Sequence, residues 1–261
     1  MKLAIVGAGK MGGAVLLGAL KAGVLKAKDV GIYHPNKKRR AELAEIFGVA
    51  ALDDDGIHHA ERVLISVKPQ YFGEVAPLIA GRSASYISIM AGVPAKTIAK
   101  RVGSERVVRA MPNLGARLGL SATSLAHLPQ ATKEDVRMAT RLFEAVGTVY
   151  PIPESLFDAF TGLAGSGPAF GAVVAEAIAD GGVRVGFPRE TAQDLARQVL
   201  LATAKLLETS GPAELKNEVA SAGGTAITGV KALEQHGLRY ALIEAVEAAS
   251  LQAKRLSQED A

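Results

Sequence analysis

The sequence predicts an α/β protein: an N-terminal doubly wound parallel sheet followed by an all-helical C-terminal region. Three observations predict it. Short β-rich runs alternate with amphipathic stretches over the first half of the chain, the pattern of parallel strands joined by crossover helices. Strand signals nearly vanish after Phe157, where Ala- and Leu-rich segments take over. A glycine loop stands between the first apolar run and the first helical pattern. The expected division is a sheet domain over 1–155 and a helical domain over 156–261, with no long linker, internal repeat or low-complexity tract at the join.

The strands are expected, in order, at 3–6, 30–34, 63–67, 86–90, 107–111, 120–125 and 148–152, each rich in Val, Ile, Leu or Tyr. Helical patterns at 11–21 and 37–47 lie between the early ones. In the second half helices are expected at 169–180, 189–209, 225–235 and 239–256, punctuated by Gly181-Gly182, Phe187-Pro188 and Gly211-Pro212. The 169–180 segment, Ala-Phe-Gly-Ala-Val-Val-Ala-Glu-Ala-Ile-Ala-Asp, is apolar around most of its circumference. So small a helical domain cannot bury that surface by itself. A second copy is therefore expected to cover it in a homodimer, with a higher assembly of dimers left open.

Composition narrows the function classes. At 261 residues, 49% apolar and 21% charged, the chain is long enough to bury a sizeable core. No uninterrupted apolar run approaches the roughly 18 residues of a membrane span, and Met1-Lys-Leu-Ala-Ile-Val6 leads into the glycine loop rather than a cleavage site. A cytoplasmic protein without a membrane partner is expected. The absence of cysteine excludes disulfides, thiolate metal ligands and a cysteine nucleophile. No metal is expected, and His58, His59 and His127 sit in polar, loop-like surroundings. A net charge of +4 with only 5% aromatic residues argues against nucleic acid and for a small anionic ligand.

The N-terminal loop reads Gly7-Ala8-Gly9-Lys10-Met11-Gly12, following an apolar run and opening a helical pattern. Gly7 suits a tight turn, Gly9 a close backbone approach to a pyrophosphate, and Gly12 close packing of helix on strand. This is a Rossmann-type dinucleotide signature. After the second strand an NAD-preferring chain would carry an acid for the ribose hydroxyl, whereas this one reads His34-Pro35-Asn36-Lys37-Lys38. Asn36, Lys37 and Lys38 offer donors and positive charge for a 2′-phosphate, so NADPH is expected, with NADH a weaker alternative.

Further stretches close successive strands: Val67-Lys68-Pro69-Gln70, Met90-Ala91-Gly92-Val93-Pro94 and Arg109-Ala110-Met111-Pro112-Asn113. The carboxyl ends of strands are where open α/β sheets bind ligands, so all three are expected within reach of a nicotinamide. Near the C-terminus, Ser221-Ala222-Gly223-Gly224-Thr225 precedes a helical pattern. Gly223, Gly224 and Thr225 are expected to direct free N–H groups outward as a seat for a carboxylate. Helix capping by Ser221 or Thr225 is the plainer reading of the same spacing.

With these motifs and Gly165-Ser166-Gly167-Pro168-Ala169-Phe170 in place, the chain resembles the pyrroline-5-carboxylate reductase family over nearly its whole length. The resemblance implies reduction of 1-pyrroline-5-carboxylate to L-proline by hydride from NAD(P)H, and a helical domain interlocked with that of a second subunit. It implies that Gly7 to Met11 hold the pyrophosphate, that Asn36 and Lys37 lie near the adenosine ribose, and that Val67, Lys68, Pro69, Ala91 and Gly92 border the nicotinamide, while Gly12 and Lys38 are added by the reading of the loop and the basic run themselves. Ser221, Gly223, Gly224, Thr225 and Ala226 would hold the substrate carboxylate. Thr225 and Lys68 are the candidate catalytic side chains.

The chain departs from the family pattern at Leu114-Gly115 (usually Thr-Pro), Ala222 (usually Pro), Asp53-Asp54-Asp55 (commonly Asn near the ribose) and Ala226 (often Thr). A protonated cyclic imine is already an electrophile, so little is asked of side chains beyond orientation, which fits the lack of a His-Asp or paired-carboxylate constellation. Two other readings stay open: a related NADP-dependent imine or β-hydroxyacid oxidoreductase, and a non-catalytic dinucleotide-binding sensor.

Overall fold

The computed structural model describes residues 1–81 and 84–259. Residues 82, 83, 260 and 261, which the two expected domains include, lie outside that range. The strands are β1 (Leu3–Val6), β2 (Val30–Tyr33), β3 (Ala50–Ala51), β4 (Arg62–Ile65), β5 (Ser85–Ser88), β6 (Val107–Pro112), β7 (Ser121–His127) and β8 (Gly147–Pro151). They form one eight-stranded sheet in the order β3-β2-β1-β4-β5-β6-β7-β8. Between them run α1 (Lys10–Lys21), α2 (Lys37–Phe47), α3 (Phe72–Ile79), α4 (Ala95–Val102) and α5 (Lys133–Glu144).

All pairings from β3 across to β6 are parallel. The sheet is parallel as expected except at β7, which runs antiparallel to β6. The reason is the connection: Leu114–Leu118 forms a 3-10 turn, and a link that short cannot make a crossover. α5 then serves as the crossover that sets β8 parallel to β7. The two-residue β3 was not expected, because two residues carry no periodicity.

Side-chain alternation along the strands sorts the core into two layers. Ala4, Val6, Val63, Ile65 and Tyr86 meet Phe72, Ile79 and Ile98 of α3 and α4. Leu3, Ile5, Ile32, Leu64 and Ile87 meet Leu16, Leu43 and Phe143 of α1, α2 and α5 on the opposite face. Strands covered on both faces bury every residue, which is why their sequences read as continuous apolar runs.

The amino ends of the strands carry a buried charge. Asp135, in the first turn of α5, is 1% exposed. It accepts from Arg106 Nε at 2.9 Å and Arg106 Nη2 at 2.8 Å, and it closes a capping box with Thr132. Burial alone would raise its pKa, but the hydrogen bonds from Arg106 and Thr132 outweigh that and hold it at about 2.

The chain divides into two compact units, residues 1–165 with those from Ala249 onward, and Ser166–Ala248. The first includes the short α6 (Phe157–Phe160) and a π-helical turn at Thr161–Gly165. The second consists of α7 (Gly167–Arg184), α8 (Arg189–Leu206), α9 (Pro212–Val219), α10 (Thr225–Gln235) and the start of α11 (Leu238–Glu259). The compact division after Gly165 lies beyond the expected one at 155, and the end of α11 groups with the sheet. Within the second unit the buried cluster among the described residues is three alanines, Ala179, Ala192 and Ala196. Val173, Val185, Phe187, Leu195, Val199 and Tyr240 stand exposed. The helical stretch Glu154–Arg184 reaches a mean hydropathy of 1.3 with only 11% of that window buried, enough by length and composition alone to span a membrane.

The depressed Asp135 value makes stability depend on acid. A carboxyl whose folded pKa lies below its unfolded value of 3.8 contributes fully above about pH 4, and the contribution is lost as pH falls towards about 2. The melting temperature of the parent is expected to drop through that window, and Asp135→Asn is expected to flatten the drop while lowering stability near neutrality. Thermal melts from pH 6 to pH 2 check both.

Candidate functional site

The parallel strands β1, β2, β4, β5 and β6 bring their carboxyl ends to one edge of the sheet, and the connections that leave that edge carry most of the motifs. Beyond β1, Gly7 has φ +86°, and a Cβ there would meet Ser66 O and Val67 Cγ1 at 2.8 Å. At Gly12 a Cβ would run into the Ser66 side chain and lie 2.9 Å from Gly7 O, so the start of α1 sits directly on the end of β4. Gly9 differs from both: no atom lies within 4 Å of where its Cβ would stand. α1 begins without a side-chain cap and without an acid in its first turn. A helix start with unclaimed N–H groups beside an open glycine is fit to receive a phosphate.

At the end of β2 the side chains are more committed. Asn36 caps α2, its Oδ1 accepting from Arg39 N at 3.0 Å, and its own N–H donates to His34 Nδ1 at 3.1 Å. Lys37 and Lys38 are exposed and enter no ion pair among the described residues. Nearby, Asp53 Oδ1 accepts from Gly56 N at 2.7 Å. Burial raises the pKa of the Tyr33 hydroxyl, and Asp54 beside it raises it further, while the Arg40 guanidinium lies 5.6 Å from the centre of the ring. Asp53 and Asp54 are thus occupied by the protein's own groups.

Val67 packs on Gly7, Lys68 is exposed at the start of the turn Pro69–Tyr71, and Ala91 is exposed next to Gly92. The third strand-end stretch is held by the protein's own groups. The Arg109 guanidinium lies 4.7 Å from the centre of the Phe157 ring, and Nη1 donates to Glu154 Oε1 at 2.9 Å. The same oxygen accepts from Ala95 N at 2.7 Å, capping α4, which Pro94 leaves without a side-chain cap. Asn113 is likewise structural, with Oδ1 accepting from Gly115 N at 3.0 Å and Nδ2 donating to Ala164 O at 2.8 Å. An isolated arginine is costly to bury, and the fold supplies Arg109 with a partner from a distant segment.

In the second unit, Gly223 takes φ +70° and Gly224 is the N-cap of α10. Gly224 N donates to Ser221 O at 3.0 Å, so its N–H is not free as expected. No side chain caps α10, which sets aside the capping reading of Ser221 and Thr225. Ser221 and Thr225 are exposed and Ala226 half-buried at this helix start.

Sequence reasoning missed Ser66, whose small side chain admits the Gly12 approach, and Glu154, whose partners lie far away in sequence. Only the first had a local signal, a serine directly after the β4 run. A groove of about 930 Å³ starts at the β1 loop, at Ala8, Gly9 and Lys10, and runs along the outer side of α1 between Phe47 and Leu118.

Comparison with known proteins gives consistent matches. A family model for pyrroline-5-carboxylate reductase dimerisation matches residues 154–256, and one for NADP oxidoreductases, coenzyme F420-dependent, matches residues 2–92. A pyrroline-5-carboxylate reductase of Thermus thermophilus is 50% identical over 261 residues, covering 100% of both chains. One of Pisum sativum is 39% identical, covering 98% of this chain and 96% of its own. Among solved structures, that of the Coxiella burnetii reductase matches with a TM-score of 0.89 at 29% identity, covering 98% of each chain. The Plasmodium falciparum reductase, solved with NADP bound, matches with a TM-score of 0.85 at 27% identity and the same coverage.

Glu154→Ala would leave Arg109 buried without its counter-charge. It is expected to destabilise the fold by about 1–3 kcal/mol, the scale for leaving a buried polar group without its partner, since Glu154 itself is only half-buried. Glu154→Gln, which keeps an acceptor for Ala95 N, is expected to cost less. Urea denaturation of the two variants beside the parent checks the order.

Proposed function

The chain belongs to the pyrroline-5-carboxylate reductase family, and from that premise we propose how its residues reduce 1-pyrroline-5-carboxylate to L-proline with NADPH. The observation that carries the reading is an open glycine turn at Gly9 in the same chain as an uncapped helix start at Gly224-Thr225. The first fits a dinucleotide phosphate and the second a small carboxylate. Turnover of NADPH with this imine tests it, and a protein that binds NADPH but leaves the imine unreduced would instead support the sensor reading.

When bound, NADPH supplies hydride from C4 of its dihydronicotinamide to C5 of the ring, whose protonated C=N becomes CH–NH. The chain's own groups bind and orient. Gly7, Ala8, Gly9, Lys10, Met11 and Gly12 hold the pyrophosphate at the start of α1, and Lys37 and Lys38, next to the cap Asn36, meet the 2′-phosphate. Val67, Lys68, Pro69, Ala91 and Gly92 border the nicotinamide. Ser221, Gly223, Thr225 and the backbone of Ala226 hold the carboxylate, with Gly224 shaping the turn. The Thr225 hydroxyl, or an ordered water, meets the ring nitrogen, and Lys68 adds positive charge at the nicotinamide end. The imine takes its proton from solvent before binding, so orientation does most of the catalysis.

The helical domain is proposed to pair with that of a second copy. Its exposed Val173, Phe187, Val199 and Tyr240 need a cover, and the match to a dimerisation model over 154–256 supports one made by another subunit. The apolar Glu154–Arg184 stretch is assigned to that interface rather than to lipid, consistent with a cytoplasmic enzyme.

NADPH is expected to be used more efficiently than NADH. Lys37→Glu with Lys38→Glu is expected to erode the ratio by about 1–2 kcal/mol, the scale of charge-assisted hydrogen bonds. Equal kcat/KM for both cofactors in the parent would contradict this.

At Ala226, one neutral hydrogen bond is worth about 0.5–1.5 kcal/mol, so Ala226→Thr is expected to change kcat/KM by no more than about tenfold. Gly224→Val is expected to cost far more, because a Cβ there would run into Ser221. Steady-state kinetics of both variants decide it, and an inert parent rescued by Ala226→Thr would defeat the positioning account. For the assembly, sedimentation is expected to find a dimer at micromolar concentration, and an active, stable monomer would exclude it.

A further inference from the structure

The last turns of α11 meet the strand-end edge of the sheet. A Cβ on Gly92, whose φ is +75°, would stand 3.5 Å from Ser257 Cα and 3.7 Å from both Ser257 N and Ser257 Oγ, so the helix backbone lies against this turn with no side chain between. The Ser257 hydroxyl is 2.7 Å from Asp158 Oδ1 on α6, a shorter contact than its 3.0 Å approach to Ala253 O within the helix. Two turns earlier Ser250 is pressed against Gly162 of the π-helical turn, where a Cβ would collide with the Ser250 side chain and backbone. A π-helical turn is a rare local geometry, frequently found at functional sites.

We propose that Ser257 and Asp158 are positioning residues for hydride transfer: their hydrogen bond seats the end of α11 on the Ala91-Gly92 turn and holds that turn at the nicotinamide edge. The inference rests on the placement of Ala91 and Gly92 beside the nicotinamide. A glycine turn closed only by its own backbone samples several conformations. A helix end laid on it removes them, and Asp158 fixes the helix end because it sits on α6, which the buried Phe157 anchors to the sheet. Alignment of the reacting carbons then depends on a side chain that touches neither cofactor nor substrate.

The experiment measures backbone hydrogen exchange of segment 89–94 in the cofactor-free full-length protein, together with kcat and KM. The proteins are the parent, Ser257→Ala, Asp158→Ala, the double variant and Ser257→Thr. Exchange in the segment is expected to quicken at least about fivefold in either alanine variant, and no further in the double, because one bond is lost in each. kcat is expected to fall about three- to tenfold with KM for the imine within about twofold, and Ser257→Thr is expected to restore both readouts. Unchanged exchange in both alanine variants overturns the clamp. Faster exchange with unchanged kcat shows a clamp on a turn that does not align the nicotinamide, which overturns the proposed placement of the cofactor and the positioning role with it.

Discussion

The site rests on one carboxylate. Glu154 leaves the end of the sheet domain and reaches back to neutralise Arg109 in β6, and with the same oxygen it caps α4 at Ala95. This ties three separate pieces of chain to the edge where the strands β1, β4, β5 and β6 end. Phe157 closes over the guanidinium, and Asn113 takes hold of Ala164 about two turns further on. The start of the helical region is thereby held against the carboxyl ends of the strands rather than leaving them as a loose linker. A pair with its arginine buried adds little net stability over an apolar substitute, but losing the half-buried Glu154 strands that arginine, so the pair fixes geometry more than it adds free energy.

Much of this fold is legible in the sequence because the signals are local. The apolar runs at β1, β2 and β4 are continuous because both faces of those strands are covered, and the glycine loop announces the one place where α1 must sit on Ser66. The reversal of β7 is harder to read. It depends on whether the residues after Asn113 make a tight turn or a crossover, and the short 3-10 turn at Leu114–Leu118 has no strong periodicity. The protein partners of Arg109 and Asn113 are hard to read for a related reason. Both stand in a motif at a strand end, but a motif does not say whether a side chain points to ligand or to protein. Here the answer lies in Glu154 and Ala164, which no spacing rule connects to them.

The C-terminal glycine turn is legible in outline and not in detail. Gly223-Gly224 predicts a turn into a helix, and the helix starts there without a side-chain cap. That the Gly224 N–H is spent on Ser221 O could not be foreseen, because it follows from how tightly the turn closes. The remaining donors are those of the first turn of α10, where the proposed role of Ala226 needs only its backbone and not a side-chain hydroxyl. The absence of a His-Asp or paired-carboxylate group in the strand-end motifs is in keeping with this economy. An imine that arrives protonated needs orientation and exclusion of water more than it needs an acid.

The central claim is that orientation, and not proton donation by a side chain, does the catalytic work. It is tested most directly by single-turnover proline formation with NADPH deuterated at the transferred position, comparing the parent with a Lys68→Met, Thr225→Val double variant. The account predicts deuterium on C5 of the product and a primary isotope effect in both proteins, with the variant slower by less than about a hundredfold, the lower bound of general acid catalysis. A loss well beyond that, or deuterium exchanged into solvent, would contradict it.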